Sequence, residues 1–297
     1  MDKQLTIGRF APSPTGPLHL GSLYTALAGF LQARSQQGRW LLRIDDLDTL
    51  RNIKGSADTI LKTLESFGLH WDGEVYCQSR HIDVYNDIIS DLQRNRLIYP
   101  CTCSRKKLTA SARKQAPPDI YPGICRNRQT PPDCPYALRI KTDNRIIAFR
   151  DELQGLIFHN IAGQDGDFIV QRKDRVIAYQ FAVVIDDNLQ HVNHIVRGFD
   201  LLDATPKQIY LQQLLGFTTP GYMHVPIIVD EQGYKLSKQT QATAVDLTAP
   251  HGVIFKLLVL LKQNPPIELQ QASVTELLSW AIAHWHPLLL KNTHAVS

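Results

Sequence analysis

Three stretches of the chain have the residue types and spacing that chemistry needs. Between Arg9 and Ser22 the sequence reads R-F-A-P-S-P-T-G-P-L-H-L-G-S. A strand before it and a helix beginning at Leu20-Gly21-Ser22 would present unpaired N–H groups and the positive end of a helix dipole, a natural seat for phosphate. Gly21 leaves the backbone open to a ligand. Pro12, Pro14 and Pro17 stiffen the loop before any ligand arrives. His19 stands just ahead of the helix, where it can donate to the same anion. The spacing is neither G-x-G-x-x-G nor a Walker loop. The second stretch is Lys235-Leu236-Ser237-Lys238-Gln239. Two lysines three apart, on a loop after a glycine turn, can close over a polyphosphate as mobile point charges. The third is a cysteine cluster, Cys101, Cys103 and Cys125. Thiolates suit a tetrahedral structural zinc, and spacing alone nominates Cys134 as the fourth ligand.

The surrounding pattern supplies elements to position these groups. Leu5 to Ala11 reads as a short buried strand. Apolar residues at 20, 23, 24, 27, 30 and 31 mark a helix over 20–37, closed by Gly38. Trp40 to Ile44 is a second strand, followed by the acidic run Asp45-Asp46-Leu47-Asp48. Helices are expected over Ser56 to Phe67 and over roughly 83–95. Strand, helix, strand, helix in this order indicates an α/β fold with a parallel sheet and crossover helices. The periodicity fails over 99–140, where Cys, Pro, Lys and Arg crowd together, and this reads as an insertion outside the sheet. Ile146 to Phe149, Leu156 to His159 and Phe168 to Gln171 are β-like. Ala182 to Ile185 is an apolar run ending in Asp186-Asp187. His194 to Val196 is a strand that ends at Arg197-Gly198, Thr205-Pro206 starts a helix, and Val225 to Val229 is another strand. Two amphipathic helices are expected near 252–263 and 273–285. The chain thus divides into 1–98 and 141–249, the halves of one catalytic domain, an insertion at 99–140, and a helical region over 250–297.

Composition limits the alternatives. Of 297 residues, 43% are apolar and 20% charged, which excludes a disordered or fibrous chain. The net charge of +4 leans only weakly toward an anionic partner. The greasiest stretch, Phe255 to Leu261, is short and contains Lys256, so no bilayer-spanning run is expected. The first residues, M-D-K-Q-L-T-I, lack a secretory apolar region, and five cysteines in a chain of this size do not make a disulfide framework. A cytoplasmic protein, with no membrane partner, is expected.

Taken together, His19-Leu20-Gly21-Ser22 and Lys235 to Gln239 resemble the His-Ile-Gly-His and Lys-Met-Ser-Lys-Ser signatures of class I aminoacyl-tRNA synthetases. The longer stretch Arg9 to Gly21 resembles the glutamate branch, as do Leu42-Arg43-Ile44-Asp45-Asp46-Leu47-Asp48 and Ile195-Val196-Arg197-Gly198. The resemblance runs from residue 9 to about 240. It implies a Rossmann-like nucleotide-binding domain with ATP at the carboxyl ends of the strands. Full glutamyl-tRNA synthetases carry a large anticodon-binding region, and the stretch after Gln239 is too short for one. The chain is therefore similar to a truncated paralogue family, the glutamyl-queuosine tRNA(Asp) synthetases. That family attaches glutamate to the wobble queuosine of tRNA(Asp).

The same resemblance implies roles. His19, Gly21, Ser22 and Lys238, helped by Lys235, would handle ATP and the leaving pyrophosphate, with Mg2+ on the phosphates. His19, Lys235 and Lys238 would be the catalytic groups. Arg9, Phe10, Ala11, Pro12, Ser13, Tyr179 and Arg197 would bind L-glutamate, and Asp45 its ammonium. Asp45 stands where the family usually has Glu, and Ser22 where the fuller motif has His. For zinc, the resemblance nominates Tyr121 rather than Cys134, giving Cys101, Cys103, Tyr121 and Cys125. The basic run Arg105, Lys106, Lys107, Arg113 and Lys114 could meet tRNA phosphates. The two C-terminal helices would lie against a presented anticodon stem-loop. The enzyme would act as a monomer.

Overall fold

The computed structural model describes residues 5–104, 120–230, 232–234 and 245–297. Lys235, Lys238 and the basic run from Arg105 to Lys114 lie outside these described residues.

Strand β1 (Ile7–Phe10) leads into helix α1 (Leu20–Ser35), which returns the chain to β2 (Arg39–Ile44), parallel to β1. Helix α2 (Ser56–Ser66) then leads to the short β3 (Tyr76–Cys77), parallel to β2. The α1–β2 turn is tight. A Cβ at Gly38 would stand 2.3 Å from the Thr6 carbonyl oxygen, so only glycine fits. Helix α3 (Ile82–Arg94) follows. The sequence reading of this half is met within a residue or two at most element ends.

The second half of the sheet is β7-β6-β10-β9. Its members are β6 (Ile146–Asp151), β7 (Gly155–Asn160), β9 (His194–Gly198) and β10 (Gly221–Val225). Asn193 stitches the halves together. Its Oδ1 accepts the Ile7 N–H at 2.8 Å, and its own N–H donates to the Ile7 carbonyl at 3.0 Å. The carboxyl ends of β1 and β9 therefore lie side by side where the winding of the sheet reverses, the place where doubly wound sheets bind ligands.

Apolar cores cover both faces. On one, Leu23 and Leu27 of α1 meet Trp40, Ile60, Leu64, Leu257 and Leu277. On the other, Ile89, Leu138, Val184, Ile209 and Tyr222 pack together. The C-terminal helices α5 (Pro250–Leu260) and α6 (Val274–His284) belong to the first face, and Trp285 Nε1 donates to Gln32 Oε1 of α1 at 2.7 Å.

One unassigned run finds its element, and two local expectations change. The run Ala182–Ile185 lies in helix α4 (Tyr179–Leu189), buried from Phe181 to Asp187. It is apolar all round because the helix is buried all round. The strand expected over 225–229 breaks at Pro226, which has no N–H to donate, into β10 and β11 (Ile227–Ile228). The segment 99–140 is not wholly outside a sheet. Its ends, β4 (Ile98–Cys101) and β5 (Ala137–Ile140), pair antiparallel, and β8 (Ile169–Gln171) pairs with β5. A two-stranded neck thus carries the irregular part. Among the described residues no helix is long and apolar enough to cross a membrane.

Candidate active site and metal centre

A cavity of about 290 Å3 opens at the β1–β9 seam. Arg9, Phe10, Ala11, Pro12, Ser13, His19, Gly21, Ser22, Tyr179 and Arg197 all line it. Ten residues singled out from three separated parts of the sequence thus share one space. A second cavity, of about 270 Å3, adjoins it, and Ser13, Thr15 and Tyr179 line both. Asp45 lines this second cavity rather than the first, together with Asp48, Asn52, Gln78 and Arg172.

At one end of the first cavity is the start of α1. His19 is its N-cap. Its Nδ1 accepts the Ser22 N–H at 3.2 Å, so Nε2 carries the proton and donates to Ser22 Oγ at 3.0 Å. His19 lines the cavity as expected, in contact with Ser22, and the serine hydroxyl and the first-turn N–H groups stand beside it at the polar end. A ligand phosphate there would meet backbone donors and the helix dipole.

The two arginines differ in whether a carboxylate pairs with them. Arg9 is buried and already paired, with Nε 3.1 Å from Asp187 Oδ1. Asp187 also accepts Arg43 Nη1 at 2.7 Å, and Arg43 Nε donates to Asp45 Oδ1 at 2.8 Å. Burial works to raise the Asp187 carboxyl, but the two guanidiniums outweigh it and hold it below the usual carboxylate range. Asp186 turns to Tyr85, Tyr76 and Gln78, at 2.6, 3.0 and 2.6 Å. Arg197 has no such counter-ion. It is 3% exposed, and its partners are neutral: His224 Nε2 at 3.0 Å, Gln208 Oε1 at 2.7 Å and Thr205 Oγ1 at 2.7 Å. No carboxylate of the described residues pairs with it. A buried guanidinium with only neutral partners is costly to hold. Lining a cavity, it is a receptor for an anionic ligand group, and carboxylate matches its fork.

Asp45 offers the opposite charge. Its Oδ1 is taken by Arg43, while its buried Oδ2 has no partner among the described residues. Burial pushes this carboxyl up to about 6 against the pull of Arg43. An unpaired carboxylate oxygen beside the rim shared by Ser13 and Tyr179 can take a cation such as an ammonium group.

Sequence reading assigned no role to Asp187 or His224 in this surround, and Arg43 appeared only within the Leu42 to Asp48 motif. The acid pair Asp186-Asp187, ending an apolar run, was an available signal: acids in such a run are buried and need cations.

The cysteine cluster is intact. The Cys101, Cys103 and Cys125 thiols lie within 4.8 Å of one another, and Cys103 Sγ is 3.7 Å from Cys125 Sγ. Tetrahedral zinc with bonds of about 2.3 Å sets its sulfurs about 3.8 Å apart, so the spacing fits a metal. The Tyr121 hydroxyl is 3.4 Å from Cys101 Sγ and 3.8 Å from Cys103 Sγ. It also accepts the Cys125 N–H at 2.9 Å. Burial raises the Cys125 thiol, but hydrogen bonds led by the Thr102 backbone bring it to about 7. Cys134, the spacing-based alternative, is exposed and outside the cluster. The knuckle is fastened to the body through Asp167, which takes Tyr99, Arg126 and Thr142, and through the Tyr121–Gly166 bridge. A Cβ at Gly166 would lie 2.8 Å from the Tyr121 carbonyl oxygen.

Comparison with known proteins agrees with this geometry. The family described as "tRNA synthetases class I (E and Q), catalytic domain" matches residues 6–256. The chain is 48% identical over 281 residues to the glutamyl-Q tRNA(Asp) synthetase of Neisseria meningitidis serogroup A, covering 94% of this chain and 95% of that one. It is 46% identical over 286 residues to the protein of that name from Thiobacillus denitrificans, covering 96% and 95%. Among solved structures, glutamate-tRNA synthetase from Elizabethkingia anophelis superposes with a TM-score of 0.81 at 25% identity. The match covers 99% of this chain and 68% of that one. A seam cavity with a helix N-terminus at one end, reached by the Arg9 to Ser22 loop, is thus found in a chain with these relatives. It belongs to the class I tRNA synthetases of the glutamate and glutamine branch, within the family of the glutamyl-Q tRNA(Asp) synthetases, and is a ligase of that type.

Proposed function

We propose that this chain activates L-glutamate with ATP and transfers it to the queuosine at the wobble position of tRNA(Asp). The observation that carries the reading is Arg197, a buried cation with no counter-ion among the described residues, in the same cavity as the start of α1. Glutamate's side-chain carboxylate supplies the missing charge, and its ammonium meets Asp45 Oδ2. Its α-carboxylate attacks the α-phosphorus of an ATP seated on Gly21 and Ser22, giving glutamyl-adenylate and pyrophosphate. Lys235 and Lys238 neutralise the leaving pyrophosphate, and Mg2+ accompanies the phosphates. A hydroxyl of the queuosine cis-diol then attacks the carbonyl and expels AMP. The protein contributes chiefly position and fixed charge. Cys101, Cys103, Tyr121 and Cys125 would hold Zn2+, which would order the knuckle as a structural metal. The choice of queuosine rests on the names of the relatives and on the match to only part of a glutamate-tRNA synthetase.

Two outcomes follow within this reading. Lys238→Ala is expected to slow glutamate-dependent ATP–pyrophosphate exchange about a hundredfold, the usual cost of removing one charge-stabilising donor. The kcat/KM for glutamate should fall about tenfold per pH unit below about pH 6. Asp45 has a raised pKa, so it loses its charge as pH drops through that value, while glutamate keeps its own charges. Asp45→Asn should flatten this limb at a low plateau, and a wild-type profile that stays level down to pH 5 would refute the role. Function itself is tested by incubating the protein with ATP, labelled glutamate and bulk tRNA. Label should appear in tRNA(Asp) and be abolished by prior periodate oxidation of the queuosine diol. Label in tRNA(Glu) would identify a short glutamyl-tRNA synthetase instead.

A further inference from the structure

Behind Arg197 lies a buried relay that neither the sequence motifs nor the proposed chemistry uses. Strand β10 runs between β6 and β9, and its parallel register sets His224 beside Arg197. Asp151, the last residue of β6, faces His224 from the other side, with Oδ2 2.6 Å from Nδ1. The side chains of Asp151 and His224 have no solvent exposure. Asp151 also accepts the N–H groups of His224, Leu153 and Gln154, so its charge is well held. This carboxylate fixes the imidazole tautomer. Nδ1 carries the proton and Nε2 is left as an acceptor, which takes Arg197 Nε–H at 3.0 Å and lies 3.1 Å from Thr205 Oγ1. With Gln208 and Thr205 on the two Nη atoms, three of the five guanidinium N–H groups are used, leaving one on each Nη.

We infer that His224, locked by Asp151, is a positioning residue that aims Arg197 at a ligand carboxylate while keeping its positive charge unmatched. This rests on the reading of Arg197 as the carboxylate receptor. Aspartate or glutamate in direct contact would aim the guanidinium equally well but would neutralise it, as Asp187 does for Arg9. A neutral acceptor aims it without competing. Acid side chains would then be chosen over their amides by charge, since the uncharged amide gives Arg197 no counter-ion.

Isosteric substitutions separate this from a purely structural role. His224→Gln keeps a neutral acceptor, whereas His224→Glu puts a carboxylate in the same volume. KM values for glutamate and for ATP are measured by pyrophosphate exchange, with folding checked by circular dichroism. His224→Glu is expected to raise the glutamate KM at least tenfold above that of His224→Gln, with ATP KM values within about twofold of each other. If His224→Glu fails to fold, His224→Leu replaces it, and loss of the acceptor should give a rise of the same order. Equal glutamate KM values in the neutral-acceptor variant and its counterpart, or a parallel change for ATP, would overturn the inference. Absence of glutamate-dependent exchange in the parent protein would instead overturn the proposed function, and the inference with it.

Discussion

Arg197→Ala is expected to raise the KM for glutamate by roughly a hundredfold while the KM for ATP stays within about threefold. Loss of one partner of a desolvated, hydrogen-bonded charge pair costs about 2–5 kcal/mol. No discount for solvent screening applies to Arg197, because it is buried and its other contacts are neutral. The same feature predicts an effect on the protein without ligand. A guanidinium held in the interior without a counter-ion is a burden on the folded state. Replacing it with an uncharged side chain of similar length, as in Arg197→Met, should leave the unliganded melting temperature level or higher. It should also abolish the rise that glutamate produces. Thermal melts with and without glutamate check both statements. A variant destabilised without ligand but still stabilised by glutamate would show that Arg197 serves the fold and not the substrate. Equal losses for glutamate and ATP would place it in general site architecture.

The second large effect concerns the knuckle. Cys103→Ser is expected to lower bound zinc from about one per chain to well under a tenth, and chelation of the parent should do the same. Removing one of three thiolates leaves a donor set too weak for a structural site. The consequence should be local. The cluster of Tyr99, Cys101, Tyr121 and Cys125 is separate from the two sheet cores, and a group this small cannot hold its segment without further cross-links. Limited proteolysis should therefore cut the metal-depleted protein between 104 and 135 while the sheet domain persists. The neck strands β4 and β5 should stay paired, because Ile98, Leu138 and Ile140 are packed into the larger core. Metal analysis and mass mapping of the first cleavages check this. Full zinc content in Cys103→Ser protein, or cleavage spread evenly over the chain, would contradict it.

The cysteine knuckle and the second cavity are linked among the described residues. Lys173 donates to the Thr102 carbonyl at 2.8 Å, and Arg172 reaches Asp48 at 2.8 Å on the edge of the second cavity. Loss of metal should accordingly disturb the second cavity more than the start of α1, which is held by its own cap.

Residue order alone determined much of this protein. The strand, rigid loop and helix from Leu5 to Gln37 follow from apolar spacing, three prolines and a glycine stop, all short-range effects. The three cysteines suggested a metal because their number and closeness in sequence leave few other uses in a chain of this size, and the structure does bring their thiols together. The arginines at 9 and 197 were legible from the resemblance of their motifs, helped by their places near the ends of apparent strands. Tertiary structure decided what those arginines are worth. Arg9 is neutralised by Asp187 from a helix far along the chain, while β10 brings a histidine to Arg197, and no acid among the described residues pairs with it. It also decided that Asp45 shares its charge with Arg43 and sits in the adjoining cavity, and that Tyr121 rather than Cys134 completes the cluster's surroundings. The physical reason is the same each time. Local pattern fixes which elements form, but strand register across long crossovers sets which side chains meet, and the free energy of a buried charge depends on that meeting far more than on the identity of the residue.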